Sequence, residues 1–167
     1  MAGQPRVESS VRSLVLCVLA MLATSCHPTE LRDFERSAGA CLERAWNSSG
    51  LPSPSKGRCD VSSFSVRIDS PESFVEDCRT APSSAYACTS WTTDSRLFFY
   101  RETPVVVIAP WWHSEPTVIQ HELIHAYAQC SGISPDGDAR HKDARLWSSA
   151  GGSSSIQSRA LALLQAQ

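Results

Sequence analysis

The chain has 167 residues, with 15 Lys and Arg against 17 Asp and Glu for a formal net charge of −2, and 42% of it is hydrophobic. That length suits one domain better than two. The acidic balance argues against a nucleic-acid partner, which calls for a basic surface, and the apolar share excludes a disordered chain.

Residues 1–25 read as an export signal. Arg6 and Arg12 precede an unbroken apolar run from Leu14 to Ala23. That run is too short to span a bilayer as a helix but suits the apolar core of a signal peptide. Ala23-Thr24-Ser25 then lead into Cys26, which resembles the bacterial lipobox, although Ala23 stands where that motif usually has Leu. The resemblance implies an acylated Cys26 that anchors the protein to the cell envelope without a transmembrane helix. The expected organisation is a signal peptide over 1–25, a short tether over 26–30 and one domain over 31–167.

Beyond Cys26 lie Cys41, Cys59, Cys78, Cys88 and Cys130. Five cysteines in an exported domain predict two disulfides and one leftover thiol. Cys78 with Cys88 is the favoured pair, because only a short loop separates the two segments that carry them. No Cys-x-x-Cys is present to make a cysteine zinc cluster.

In chain order, Thr29 to Trp46 reads as an amphipathic helix, with Leu31, Phe34, Ala38, Cys41, Leu42 and Ala45 at spacings of three and four. Asn47 to Gly50 stops it, and Pro52 to Gly57 forms a loop. Val61 to Asp69 alternates as a strand, and Ser70-Pro71-Glu72 opens a short helix ending near Cys78. Ala85 to Thr92 and Arg96 to Arg101 read as two further strands. Val105 to Ala109 is the most strand-like run, and Pro104 and Pro110 at its ends predict an edge strand. Ser114, Glu115 and Pro116 open a helix that reaches Cys130, with Gly132 as its stop. A loop follows to Asp138, then short helices over Ala139 to Ser149 and Ser155 to Gln167. The fold class expected is α+β: a small mixed or antiparallel sheet with an edge strand over one chemically active helix, plus terminal helices.

That helix carries His121-Glu122-Leu123-Ile124-His125. Two histidines four apart stand one turn above each other on nearly one face, so both imidazoles can grip one metal ion, and zinc is the metal expected. Glu122, beside the first ligand, can reach a water on the metal without binding the metal itself. Val118, His121, Glu122, His125 and Gln129 share the side that would face a cleft. Ile119, Leu123, Ala126, Tyr127 and Cys130 form a separate stripe for the core.

A catalytic zinc takes three protein ligands and an open position. After His125 the chain holds one more histidine, His141, and no glutamate. His141 is therefore the leading third ligand, with Asp138 and Asp143 as alternatives and Asp136 a distant one. Asp138 has a second reading, as a carboxylate that orients a ligand imidazole, and a third, as a helix N-cap. Trp147 reads as a core anchor. His113, Tyr127 and Arg140 are unranked candidates for an oxyanion donor.

These residues resemble the zincin-like metalloproteases. The lack of a downstream Glu departs from the gluzincins, and Ala128 and Ser131 depart from the metzincin pattern. His121 to Ala126, a loop and a third His are most similar to the minimal branch that includes SprT-like domains. Asp138 to His141 with Trp147 is also similar to the C-terminal part of small myxobacterial lipoproteins. The resemblance covers about residues 104–147. It implies metal binding by His121 and His125, catalytic duty for Glu122, and an edge strand that pairs with an extended peptide substrate, a role that would fall to Val105 to Ala109. The activity so implied is zinc-dependent peptide hydrolysis. The alternatives are a non-catalytic metal-binding envelope lipoprotein and an interaction module in which the motif is incidental.

Overall fold

The computed structural model describes residues 31–54, 59–79, 85–94, 101–109 and 116–166, with side chains from 36 onward. The signal-like segment, Cys26, His113 and the cap expected at Ser114 lie outside them. From Leu31 on, the chain clusters as one unit. It is mixed α+β, with five helices and a three-stranded mixed sheet among the described residues.

Helix α1, Leu31–Asn47, buries Ala38, Cys41, Leu42 and Ala45 of the stripe that the sequence spacing predicts, with Trp46 beside them. The Trp46 indole N–H donates to the Pro52 carbonyl at 2.9 Å and so fastens the following loop to the helix end. Where a strand is expected from Val61, a 3₁₀ turn comes first, over Val61–Ser63. Asp60 causes it: its carboxylate accepts from the Ser62 N–H and hydroxyl, a local bond that competes with strand pairing. Strand β1 is then only Ser65–Ile68. Helix α2, Pro71–Cys78, starts as the sequence predicts, with Ser70 accepting from the Ser73 N–H and Pro71 at the first position.

Strands β2, Ala87–Asp94, and β3, Arg101–Ile108, form an antiparallel hairpin, and β1 runs parallel to β3 on its other side. The strand order is β1-β3-β2. Val105 to Ile108 is therefore the centre of the sheet, which corrects the edge-strand expectation. Pro104 is tolerated there because of parity. The Glu102 and Ile108 carbonyls both turn toward the β1 side, accepting from the Asp60 and Asp69 N–H groups, and alternation turns the Pro104 nitrogen the same way. Pairing with β1 begins only at Val105, so no ladder bond is lost at Pro104. Of the separate strand expected over Arg96 to Arg101, only Arg101 lies among the described residues, and it opens β3.

The central strand has a helix layer on each face. Val106 and Ile108 join Ile119, Leu123 and Ile124 of helix α3, Pro116–Cys130, in the main core with α1, while Val105 and Val107 meet Phe74 of α2 on the opposite face. Helix α3 ends as a Schellman turn: Ile133 N–H bonds the Ala128 carbonyl, Gly132 N–H bonds the Gln129 carbonyl, and Gly132 has φ +72°. Two disulfides brace this frame. Cys78–Cys88 fixes α2 to β2, as expected, and Cys59–Cys130 ties the segment before β1 to the end of α3. Among the described residues, Cys41 stands outside both disulfides, buried in α1.

Residues 139–147 are not helical, a second correction. Asp138 and His141 both have positive φ, +59° and +52°, outside helical geometry. The Asp138 carboxylate takes the backbone N–H groups of Lys142 and Asp143, at 3.2 and 2.7 Å, that a helix would have used. Regular structure resumes with the single-turn α4, Ser148–Gly151, and with α5, Ile156–Gln165, capped by Ser155. Helix α5 packs on α1 and α3. The buried amide of Gln120 bridges all three helices, donating to the carbonyls of Ala38 and Ala160.

Candidate metal centre

Helix α3 is buried over most of its circumference, and one side of it opens onto a cleft of about 920 Å³. Val118, His121, Glu122, His125 and Gln129 line it from the helix, the face the sequence predicts, and Thr117 joins them. Strand β2 forms the opposite wall through Ala87, Thr89 and Trp91, and Asp136, Ala139, His141 and Gln157 close the end.

His121, His125 and His141 converge, each offering a ring nitrogen, with the three nitrogens within 4.8 Å of one another. No other trio of His, Cys, Asp or Glu among the described residues does so. The three residues can hold a metal ion. His125 has the arrangement a ligand needs: Nδ1 lies 2.8 Å from the Gly137 carbonyl, so the proton sits there and Nε2 is bare. That Nε2 faces the Nε2 of His141 at 3.2 Å. Two nitrogens bound to a tetrahedral zinc at about 2.0–2.1 Å each would stand about 3.3 Å apart. Gly137 is required for this: its φ is +66°, and a Cβ there would meet the His125 carbonyl oxygen at 2.7 Å.

His121 has a different neighbour. Gln157 accepts from the Ser148 N–H and hydroxyl with its Oε1, which turns its amide N–H toward His121 Nδ1 at 3.4 Å. A metal on the Nε2 of His121 would need Nδ1 protonated, so Gln157 would have to rotate its amide.

Burial favours the neutral form of the His121 and His125 rings, the form that binds metals. Desolvation, with like charge from His125 and His141 behind it, takes His121 down to about 4. His125 is lowered by desolvation too, against the opposing bond to Gly137. Glu122 goes the other way: burial pushes its carboxyl up to about 7. The Thr89 hydroxyl lies 2.7 Å from the Glu122 carbonyl and 3.2 Å from its Oε2. This contact joins the wall strand to the motif helix and partly offsets the burial.

The alternative ligands stand elsewhere. Asp138 spends its carboxylate on Lys142 N, Asp143 N and the Trp147 indole, and Asp143 pairs with Arg145. Asp136 binds the Ser134 hydroxyl and the Asp138 N–H at the cleft end. Tyr127 faces the core, its ring 5.1 Å from Trp46, and Arg140 is not among the residues that line the cleft. Trp147 is the buried anchor the sequence predicts, but it also packs against all three imidazoles, with ring centroids 4.3–4.8 Å away. Sequence reasoning missed Thr89, Gln157 and the role of Gly137. Only the last left a signal, an Asp-Gly turn pair.

No family model, curated protein or solved structure matches the chain.

Proposed function

We propose that this protein is an exported zinc-dependent peptide hydrolase with a zincin-like arrangement: His121, His125 and His141 hold the metal, and Glu122 is the general base. The observation that carries this reading is the convergence of the three imidazoles beside a buried glutamate in an open cleft. A zinc ion there would supply Lewis acidity toward the scissile carbonyl and make water acidic near neutral pH.

Glu122 takes the proton of the attacking water and returns it to the leaving nitrogen. Its carboxyl is near 7 before any cation draws it down, a range suited to both steps. Thr89 steadies the carboxyl from the wall strand. The engagement of Asp138 with Trp147 and the backbone supports an open fourth position, which a purely structural site would close.

The substrate role implied for an edge strand moves to β2. Ala109 N–H bonds the Tyr86 carbonyl, so even-numbered residues turn their polar groups toward β3, while Ala87, Thr89 and Trp91 turn theirs to the outer edge beside the cleft. An extended peptide laid along that edge would gain main-chain hydrogen bonds and bring a carbonyl to the histidines. Two disulfides favour an oxidising compartment, in keeping with export and a lipid on Cys26.

The test is zinc analysis together with peptide hydrolysis. Glu122→Gln should retain one zinc per chain and lose hydrolysis by at least about 100-fold, whereas His121→Ala should lose the zinc itself. A wild-type protein purified without chelators that holds no stoichiometric zinc would overturn the proposal. A Glu122→Gln protein as active as wild type would leave a metal site with another purpose.

A further inference from the structure

Metal-binding histidines are held by a second contact on the ring nitrogen that does not bind the metal. His125 has the Gly137 carbonyl and His121 has Gln157 beside it. The His141 ring differs. Among the described residues its one polar contact is to the Nε2 of His125, the atom that would itself be bound to metal. Its backbone sits in a left-handed turn, φ +52°, with its N–H on the Asp138 carbonyl at 2.8 Å. That turn fixes where the side chain begins but not how the ring is rotated.

The Trp147 indole fills this gap. Its centroid is 4.3 Å from that of His141, the shortest of its three imidazole contacts, and the rings are inclined by 53°. The indole is itself fixed: 1% exposed, with its N–H donating to Asp138 Oδ2 at 2.8 Å. Asp138 Oδ2 also takes the Asp143 N–H, so one carboxylate organises both the turn that carries His141 and the ring that abuts it.

Resting on the metal-site reading above, we propose that Trp147 is the positioning residue for His141: its indole, tethered by Asp138, replaces the hydrogen bond that would otherwise hold a ligand imidazole. His121 and His125 belong to a rigid helix and need the indole less. Loss of the indole face should therefore disorder one ring of the three.

Imidazole proton NMR on the metal-free, disulfide-intact protein reads this directly. In the wild type, the His141 ring protons should be shifted upfield by the indole and differ from those of an unstructured histidine. Trp147→Leu should return them toward the unstructured positions while the His121 and His125 signals stay dispersed. Trp147→Phe, which keeps an aromatic face but loses the tether, should fall between. In zinc titrations against a competing chelator, Trp147→Leu should bind about 10–100-fold more weakly, the usual effect of removing a residue that supports a ligand, and Trp147→Phe should stay closer to wild type. Wild-type His141 signals at unstructured positions would overturn the proposal even if Trp147→Leu failed to fold. So would a folded Trp147→Leu protein with wild-type zinc affinity. If the wild type takes up no zinc, the hydrolase reading falls, and the metal-free spectra still decide whether Trp147 orders His141.

Discussion

Helix α3 and the turn at residues 136–147 bring histidines to the same point by opposite means. The helix sets His121 and His125 with its own 3.6-residue repeat and is held by core packing at Ile119, Leu123 and Ile124. The turn has no repeat to rely on. It depends on two left-handed residues, a glycine against the His125 carbonyl, and one carboxylate that accepts three hydrogen bonds. Damage to the helix core should therefore cost stability first, and damage to the turn should cost metal first.

The sharpest break removes a proposed ligand. His125→Ala deletes both the nitrogen assigned to the metal and the bond to Gly137, and equilibrium dialysis should find no bound zinc, whereas retention of a full equivalent would mean that the histidines are not the site. Leu123→Ala tests the helix: this fully buried side chain should cost about 2–5 kcal/mol in urea unfolding, while the chains that remain folded keep their zinc affinity.

Glu122 adds a pH-dependent difference. Its folded-state value is about 7 against an ordinary 4.5, so its contribution to stability is full below 4.5 and is lost as pH rises through 7. Glu122→Gln escapes that loss. In the presence of chelator, the unfolding free energy of the variant, read by chemical denaturation, should rise relative to wild type between pH 4.5 and 8 by an amount on the order of 3 kcal/mol. His121, lowered to about 4 from 6.5, has the reverse slope, full above 6.5 and lost toward 4, but it is present in both proteins and cancels. A gap that does not change with pH would place Glu122 in water.

Gly137→Ala should cost about 1–3 kcal/mol in chemical denaturation, as a strained backbone does, and weaken zinc more than Leu123→Ala does. The reverse ranking would erase the distinction between helix and turn. Smallest of all, Asp143→Ala removes an exposed pair with Arg145 and should shift stability by less than about 0.5 kcal/mol and leave zinc untouched. A large loss of zinc would instead return Asp143 to the ligand set.

The same contrast explains what the sequence revealed. Helix α1, the N-terminal end of α2 and the cleft face of α3 were legible because periodicity and capping residues are local. The Cys78–Cys88 pair was legible for the same reason, spanning a short loop. Val105 to Ala109 was misplaced because proline at a strand end is also compatible with a central strand whose second neighbour starts one residue later, which only the β1 register reveals. The helix expected over Ala139 to Ser149 failed because Asp138 diverts the N–H groups the helix needed. His141 was still the leading third ligand, by elimination. Trp147 reaches His141 through an irregular turn with no repeat to announce it, and Thr89 meets Glu122 from a distant part of the chain.

Among the described residues no strand pairs with the outer edge of β2, and such an edge has a cost besides any use. A strand border with open N–H and C=O groups will accept an extended segment from whatever chain reaches it, including another copy of this one. Here the border carries Ala87, Thr89 and Trp91 along a cleft wall, so a neighbouring molecule must enter the recess before it can pair. The hollow proposed to take a peptide would thus also discourage the molecule from polymerising with itself.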